Sequence, residues 1–248
     1  MQKTLISIIG STGIGKTKLA IEMAKHFGTE IISCDSRQFF KEMKIGTATP
    51  TDEELAQAKH HFIGHLSVQD YYSIGQYEED ALEKIEEIFE KNDFVVLVGG
   101  SMMYEKAVVE GLNDLPEANA ENQEKLQKIL DEEGLEKLQE ILKNLDEEYY
   151  NVVHKENPRR LLRAIDVIWQ TGRKYSEIIA EPKHKRDFKV IRIGITAPRE
   201  IMYERINLRV DKMLENGLID EVKSLTEYQK LVPLQTVGYT EIFKYLEG

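Results

Sequence analysis

The sequence has little of several features that mark particular classes of protein. Cys34 is the single cysteine among 248 residues, so no disulfide can form within the chain. Six prolines and 16 glycines are too few for a collagen-like or low-complexity chain. No apolar run approaches the ~20 residues that a transmembrane helix needs, and the segment before Gly10 is too short for a secretory signal. We therefore expect a cytoplasmic protein with one large α/β domain, or one such domain with an insertion.

Positive charge is also scarce, since 33 Lys and Arg face 44 Asp and Glu. The formal net charge of −11 argues, as an average, against nucleic-acid binding. The charge is segregated, however: residues 113–151 hold 12 acidic and 4 basic side chains, whereas residues 154–192 hold 5 acidic and 11 basic ones. This pattern is compatible with a polyanionic partner on one face. On charge alone, two ordinary solvated helical faces remain the favoured explanation.

Short apolar runs alternate with amphipathic segments over much of the chain. The predicted strands are Thr4–Ile9, Glu30–Cys34, Phe94–Val98 and Phe188–Ile195, and the predicted helices include Lys16–Phe27, Gln76–Lys91 and Pro198–Gly217. Strands that alternate with helices indicate a parallel sheet with right-handed crossovers. Between residues 113 and 185 helical periodicity dominates and no strand is evident, which indicates a helical insertion.

The first predicted strand leads into a phosphate-binding motif. Gly10-Ser11-Thr12-Gly13-Ile14-Gly15-Lys16-Thr17 matches G-x-x-x-x-G-K-[ST] in full, and a helix follows. The glycines let backbone N–H groups turn toward phosphate oxygens, and the helix N-terminus adds partial positive charge. Lys16 supplies a full charge, and the Thr17 hydroxyl can ligate Mg²⁺. We predict an α/β fold with a P-loop NTPase-like parallel sheet flanked by helices, in which residues 1–112 and 186–248 form the catalytic core and 113–185 the insertion.

Polar residues follow two other predicted strands. Asp35 ends the second strand, where it can serve as a general base, a metal ligand or a cap on the next helix. The Phe94–Val98 strand ends in Gly99-Gly100-Ser101, with no carboxylate directly after it. Most P-loop nucleotidases place an Asp there to orient Mg²⁺. The sequence therefore disfavours an ordinary ATP hydrolase or kinase, and it leaves Ser101 free to approach a substrate.

Two groups of arginines are candidate anion sites. Arg205 and Arg209 are four residues apart on a predicted helix and share a face, so they can clamp a diphosphate. Arg159, Arg160 and Arg163 open another helix and suit backbone phosphates. For Arg205 and Arg209 the alternative is pairing with Glu204 or Asp211, or plain solvent exposure. For the other group it is a surface helix start with no ligand.

Together these segments resemble the tRNA dimethylallyltransferase family. The resemblance runs in order through GSTGIGKT, DSRQFFKEMKIGTATPT, LVGGSMMYEKAVVEGLNDLP, ENPRRLLRAIDVIWQTG, the Arg205 and Arg209 pair with MLENGLIDEV, and QTVGYTEI. Ser11 stands where the family usually has Pro, Ser101 where it has Thr, and Phe40 where it has Tyr. The family usually continues past the last of these segments with a further basic helical region.

The resemblance implies an alkylation. The exocyclic amine of an adenine next to the anticodon attacks the allylic carbon of dimethylallyl diphosphate, and diphosphate leaves. Residues 10–17, with Arg205 and Arg209, would hold the diphosphate, and Mg²⁺ on Thr17 would be the cofactor. Asp35 would accept the proton of the amine, Ser101 would bind near the base, and Lys16, Thr17 and Arg209 would offset the charge that develops.

The resemblance also implies the partner, which is the anticodon stem-loop of tRNA. We expect the enzyme to be a monomer and to have no membrane partner. The implied contacts are Asp35, Ser36, Arg37, Gln38, Ser101, Arg159, Arg160, Arg163, Gln235, Thr236, Gly238 and Tyr239, and the insertion would close over the stem. Three alternatives remain open: an adenylate isopentenyltransferase acting on a free nucleotide, a small-molecule kinase with ATP on the P-loop, and a regulatory P-loop protein. Affinities for ATP and for dimethylallyl diphosphate would separate them.

Overall fold

Residues 2–248 are described by a computed structural model, and their helices and strands separate into two compact units. The first unit contains the residues up to Gly111 together with Lys185–Gly248, and the second unit is Leu112–His184. The first unit consists of β1 (Thr4–Gly10), α1 (Lys16–Phe27), β2 (Ile31–Ser33), α2 (Asp52–Leu55), β3 (His60–His61), α3 (Ile74–Phe89), β4 (Phe94–Val98), α4 (Met102–Glu110), β5 (Lys189–Ile195), α10 (Arg199–Glu215), α11 (Leu218–Ser224) and α12 (Tyr239–Glu247). The second consists of α5 (Ala120–Glu133), α6 (Leu135–Leu145), α7 (Glu147–Val152), α8 (Pro158–Thr171) and α9 (Tyr175–Ala180).

The five strands form one parallel sheet in the order β3-β2-β4-β1-β5. The predicted fold class, a P-loop NTPase-like parallel sheet flanked by helices, is confirmed. Strand β3 was not predicted, because its two residues are too few to show a periodicity. The predicted strand Glu30–Cys34 is shorter in the structure, where β2 contains only Ile31–Ser33.

The sheet is apolar because its central strands are covered on both faces. Leu5 and Ile8 of β1 and Val95–Leu97 of β4 are almost fully buried, as expected for parallel strands between helices. Helix α3 begins at Ile74, two residues before the predicted start, because Ser73 and Gln76 form a capping box that satisfies two backbone N–H groups.

Because all five strands are parallel, their carboxyl ends meet at one edge of the sheet, where open α/β folds bind ligands.

The second unit contains helices and no strand among its described residues, and it has its own core. Leu126, Leu138, Leu142, Leu161 and Ile165 are fully buried in it. Helix α8 carries a strongly apolar face and begins with Pro158 at its first turn, after the Asn157 cap. Across the described residues 2–248, no helix combines the length and the apolar character that a membrane crossing requires.

Candidate functional site

The phosphate-binding loop connects β1 to α1 and depends on its glycines. Gly13 and Gly15 have φ angles of 72° and 104°, in the left-handed region that side chains rarely adopt. A Cβ atom on Gly10 would lie 2.7 Å from the carbonyl oxygen of Ile195 on β5, so the loop can pass beside that strand only with glycine there. The sequence motif therefore corresponds to a turn that aims the start of α1 at the sheet edge.

Lys16 closes this loop. Its Nζ donates hydrogen bonds to the carbonyl oxygens of Gly10, at 3.0 Å, and Ser11, at 2.9 Å. Burial lowers the pKa of Lys16 and the positive charge of Arg209 lowers it further, whereas the negative charge of Asp35 opposes these effects in part, so the net shift is downward. The ammonium group is thus held within the loop, where it interacts electrostatically with the carboxylate of Asp35.

Asp35 is held by two backbone amides at the end of β2. Its Oδ1 accepts from the N–H of Arg37 at 3.1 Å, and its Oδ2 accepts from the N–H of Gly100 at 3.2 Å. The residues after it form a turn and not a helix, with the N–H of Gln38 donating to the Asp35 carbonyl at 3.0 Å. The alternative of a helix cap at Asp35 is therefore wrong.

The glycine pair after β4 has a steric reason. A Cβ atom on Gly99 would lie 2.4 Å from the carbonyl carbon of Cys34 and 2.6 Å from the amide nitrogen of Asp35, which no side chain can tolerate. A Cβ atom on Gly100 would lie 2.8 Å from Asp35 Oδ2. Most P-loop nucleotidases carry an Asp directly after this strand. Here the two glycines let the backbone approach the carboxylate of Asp35 instead.

Ser101 and Ser36 form a hydroxyl pair next to Asp35. The Oγ of Ser101 accepts from the backbone N–H of Ser36 at 3.0 Å and lies 2.8 Å from the Oγ of Ser36. Ser101 stands directly before α4 but does not cap it with its side chain. The two hydroxyls therefore use one hydrogen bond between them and keep hydrogen-bonding capacity for a further group.

A cavity of about 380 Å³ brings the phosphate-binding loop and Asp35 together. Its lining includes Thr12–Lys18, Ser33, Asp35, Gln38, Ala48–Thr51, Glu54, His60, Ile63, Val98–Gly100 and Arg209. Arg209 and Asp35 both line this cavity. Burial lowers the pKa of Arg209, and the negative charge of Asp35 opposes that shift in part. The cavity is large enough for a small organic diphosphate.

The two arginines of the predicted clamp both line a neighbouring groove, but only Arg209 also lines the cavity that contains Lys16. Arg209 lines the cavity with Lys16 and donates from Nη2 to the Thr47 carbonyl oxygen at 3.4 Å. Arg205 instead donates from Nη1 to the carbonyl oxygen of Ile14 at 3.3 Å and lines a neighbouring groove. The arrangement gives Arg205 a role in supporting the loop, and only Arg209 faces the space that a diphosphate would occupy.

The protein offers Mg²⁺ enough ligands only when a bound substrate supplies some of them. Thr17 lines the cavity, but between residues 2 and 248 no cluster of three or more His, Cys, Asp or Glu side chains can hold a metal ion. Mg²⁺ commonly binds through one or two protein oxygens while substrate phosphates and water supply the others. A hydroxyl beside a phosphate-binding loop meets that requirement.

The residues that the resemblance assigned to tRNA fall into exposed and structural groups. Arg159 and Arg160 are exposed on α8, whereas Arg163 donates to the carbonyl oxygen of Pro116 and pairs with the buried Asp166 at 3.4 Å. Arg163 therefore stabilises the helical unit, and its assignment as a plain phosphate contact needs correction.

The remaining candidates lie around the cavity and along the C-terminal segment. Arg37 donates from Nη1 to the carbonyl oxygen of Val232 at 3.2 Å, and the Gln38 amide donates to the carbonyl oxygens of Thr47 and Ala48 at 3.2 and 3.1 Å.

Gln235 is exposed, and its amide donates to the carbonyl oxygen of Gln229. Thr236 and Gly238 are half-buried. Tyr239 is fully buried, and its hydroxyl donates to Glu221, so its assignment as a tRNA contact is wrong.

Several residues at the site were not predicted from the sequence. Residues 48–51 supply one wall of the cavity, and Glu221 fixes the loop that carries them. His60 also lines the cavity, and its Nε2 is buried without a hydrogen-bond partner among residues 2–248. A Glu within a helix and a His in a two-residue strand carry no local signal of such roles.

Comparison with known proteins gives consistent matches. The family model for IPP transferase matches residues 38–248. The chain is 50% identical over 248 residues to the tRNA dimethylallyltransferase of Christiangramia forsetii, covering all of this chain and 82% of the relative. It is 46% identical over 245 residues to tRNA dimethylallyltransferase 1 of Bacteroides thetaiotaomicron, covering 99% of this chain and 80% of the relative.

Solved structures with the same fold give the same result. The full-length tRNA isopentenylpyrophosphate transferase from Bacillus halodurans aligns with a TM-score of 0.68 and 34% identity, over all of this chain and 78% of the other. A eukaryotic dimethylallyltransferase acting on tRNA aligns with a TM-score of 0.84 and 28% identity, over 98% of this chain and 63% of the other.

Proposed function

This chain belongs to the IPP transferase family, and on that premise we propose that it transfers a dimethylallyl group from dimethylallyl diphosphate to the exocyclic amine of an adenosine next to the anticodon of tRNA, releasing diphosphate. It is thus a prenyltransferase acting on tRNA. The observation that carries the proposal is the single cavity in which a phosphate-binding loop faces the carboxylate of Asp35. A diphosphate on the loop would place its allylic end toward that carboxylate.

The phosphate-binding loop supports departure of the diphosphate. Residues 12–17, which include Lys16, and Arg209 line the cavity where negative charge would grow as the carbon–oxygen bond breaks. Mg²⁺, with the Thr17 hydroxyl as its protein ligand, would neutralise part of the same charge. Arg205 acts on this step only by holding the carbonyl group of Ile14.

Asp35 is the proposed proton acceptor. The amine nitrogen forms a bond to the allylic carbon as the carbon–oxygen bond breaks, and one N–H proton passes to the carboxylate. The amides of Arg37 and Gly100 hold both carboxylate oxygens, which fixes the direction of the group. The adjacent hydroxyls of Ser36 and Ser101 are placed to hydrogen-bond with the target base, which must leave its stack to enter the cavity.

The tRNA backbone is the proposed ligand of several exposed or half-buried side chains. In the helical unit, the exposed Arg159 and Arg160 supply positive charge that suits phosphates. In the other unit, Arg37 adds a third cation, and Gln235 and Thr236 offer polar groups.

An acceptor competition tests the function against its alternatives. The protein is incubated with dimethylallyl diphosphate and either unmodified tRNA or free AMP, and prenylated products are measured by mass spectrometry. We expect product with tRNA and none with AMP. Product with AMP alone would make the chain an adenylate isopentenyltransferase. A parallel incubation with ATP and AMP tests the kinase alternative, which phosphate transfer to AMP would support.

A further inference from the structure

The carboxylate of Glu221 on α11 holds three consecutive backbone amides of one loop. Its Oε2 accepts from the N–H groups of Lys44 at 2.9 Å and Ile45 at 2.8 Å, and its Oε1 accepts from the N–H of Gly46 at 3.0 Å. We call residues 43–51 the wall loop, because Ala48–Thr51 line the cavity that contains the phosphate-binding loop. A single side chain thus fixes the start of this wall.

Tyr239 on α12 completes this attachment. Its hydroxyl donates to Glu221 Oε1 at 2.6 Å, and burial together with this hydrogen bond raises the pKa of Tyr239, so the group remains a donor. Its ring lies so close to Gly46 that a Cβ atom there would be 2.5 Å from the ring carbon Cε2. The wall loop is therefore pressed against the tyrosine ring and tied to the same carboxylate.

The middle of the wall loop contacts two side chains of the cavity. The carbonyl oxygen of Thr47 accepts from Arg209 Nη2 at 3.4 Å and from the Gln38 amide at 3.2 Å, and the Ala48 carbonyl oxygen accepts from the same amide at 3.1 Å. Ala48 has a φ of 46°, a conformation that costs energy for a residue with a Cβ atom. The loop needs external attachments to keep this shape, and Glu221 supplies three of them.

We propose that Glu221 and Tyr239 are positioning residues for diphosphate binding, acting through the wall loop on Arg209. The proposal rests on the proposed function for the identity of the ligand. Glu221 carries a negative charge, so its mere neutralisation would strengthen the binding of an anion. Loss of the attachment would weaken it. The two effects have opposite signs, which makes the proposal testable with one substitution.

The experiment measures the affinity of the full chain for inorganic diphosphate with Mg²⁺, by calorimetry, together with the thermal unfolding temperature. Glu221→Gln keeps one acceptor oxygen but sets an NH₂ group against an amide, and Tyr239→Phe removes only the hydroxyl while the ring stays beside Gly46. Asp220→Asn is the matched control, since it removes a charge from the neighbouring, exposed position of α11. We expect affinity to fall at least about tenfold in Glu221→Gln and about threefold in Tyr239→Phe, and to be unchanged or slightly higher in Asp220→Asn.

Dissociation constants within about twofold of the parent in both Glu221→Gln and Tyr239→Phe would overturn the proposal, even if the unfolding temperature falls. If Glu221→Gln does not fold, Tyr239→Phe decides alone. A parent chain that does not bind diphosphate would instead overturn the proposed function, so the two failures are distinguishable.

Discussion

The substitution Asp35→Asn separates the chemical role of this carboxylate from its structural role. Both carboxylate oxygens accept an amide hydrogen bond, from Arg37 and from Gly100. Asn keeps one accepting oxygen and turns an NH₂ group toward the other amide, so one hydrogen bond is lost. A lost hydrogen bond of this kind costs about 1–3 kcal/mol of stability, and the half-exposed position of Asp35 favours the lower end of that range.

The expected kinetic effect is larger. General acid–base groups contribute ~10²–10⁴-fold to the chemical step, which corresponds to about 3–5 kcal/mol in the activation free energy. Asn cannot accept a proton at neutral pH. We therefore expect the single-turnover rate of prenyl transfer to fall by two to four orders of magnitude, roughly, while diphosphate affinity stays close to that of the parent.

The assay is a single-turnover measurement with dimethylallyl diphosphate and tRNA already bound, followed by quenching and quantification of the modified adenosine. Asp220→Asn again serves as the control for loss of a carboxylate. A rate within about threefold of the parent would refute the reasoning, because a general base contributes far more than that. The amine would then have to lose its proton after attack, to solvent or to the departing diphosphate.

Three further outcomes follow from the geometry. Lys16→Ala should nearly abolish turnover through lost diphosphate binding, because it removes the ammonium group from the loop; calorimetry with dimethylallyl diphosphate checks this, and an unchanged affinity would refute it. Gly99→Ala should reduce transfer as strongly as Asp35→Asn, since its methyl group would displace the backbone at Asp35; parent-like rates would contradict the steric argument. In the helical unit, burial raises the pKa of Asp146 but hydrogen bonds from Ser176 and a neighbouring amide outweigh it, so the net shift is downward. The stability that Asp146 contributes should be present above the ordinary Asp pKa and disappear as the pH falls through the lowered value; Asp146→Asn should flatten this acid dependence in thermal unfolding, and an unaltered dependence would count against it.

Local motifs explain how much of the site was predictable. The phosphate-binding loop is a continuous pattern whose strand and helix flank it in sequence, so its position required no knowledge of distant contacts. Asp35 was predictable as a group at a strand end, because parallel strands meet at one edge. Its alternative roles stayed open, since the amide of Gly100, which holds it, lies 65 residues away.

Residues that act through distant partners were not predictable in the same way. The absence of a carboxylate after β4 was visible in the sequence, but the reason for Gly99 lies in a backbone approach to Cys34 that only the folded sheet creates. Tyr239 belongs to a segment that resembles the family, yet only its burial and its bond to Glu221 show that it supports a loop. Arg163 likewise belongs to a basic cluster but is committed to Asp166.

We propose that diphosphate on the P-loop is the leaving group of an alkylation and that ATP takes no part. The direct measurement is the ratio of diphosphate released to dimethylallyl groups attached to tRNA, made with purified protein, Mg²⁺, dimethylallyl diphosphate and unmodified tRNA in the absence of ATP. We predict equal amounts of the two products, with the dimethylallyl group on an adenosine next to the anticodon and no dependence on added ATP. Product formation that requires ATP, or diphosphate release without attachment to tRNA, would contradict the account.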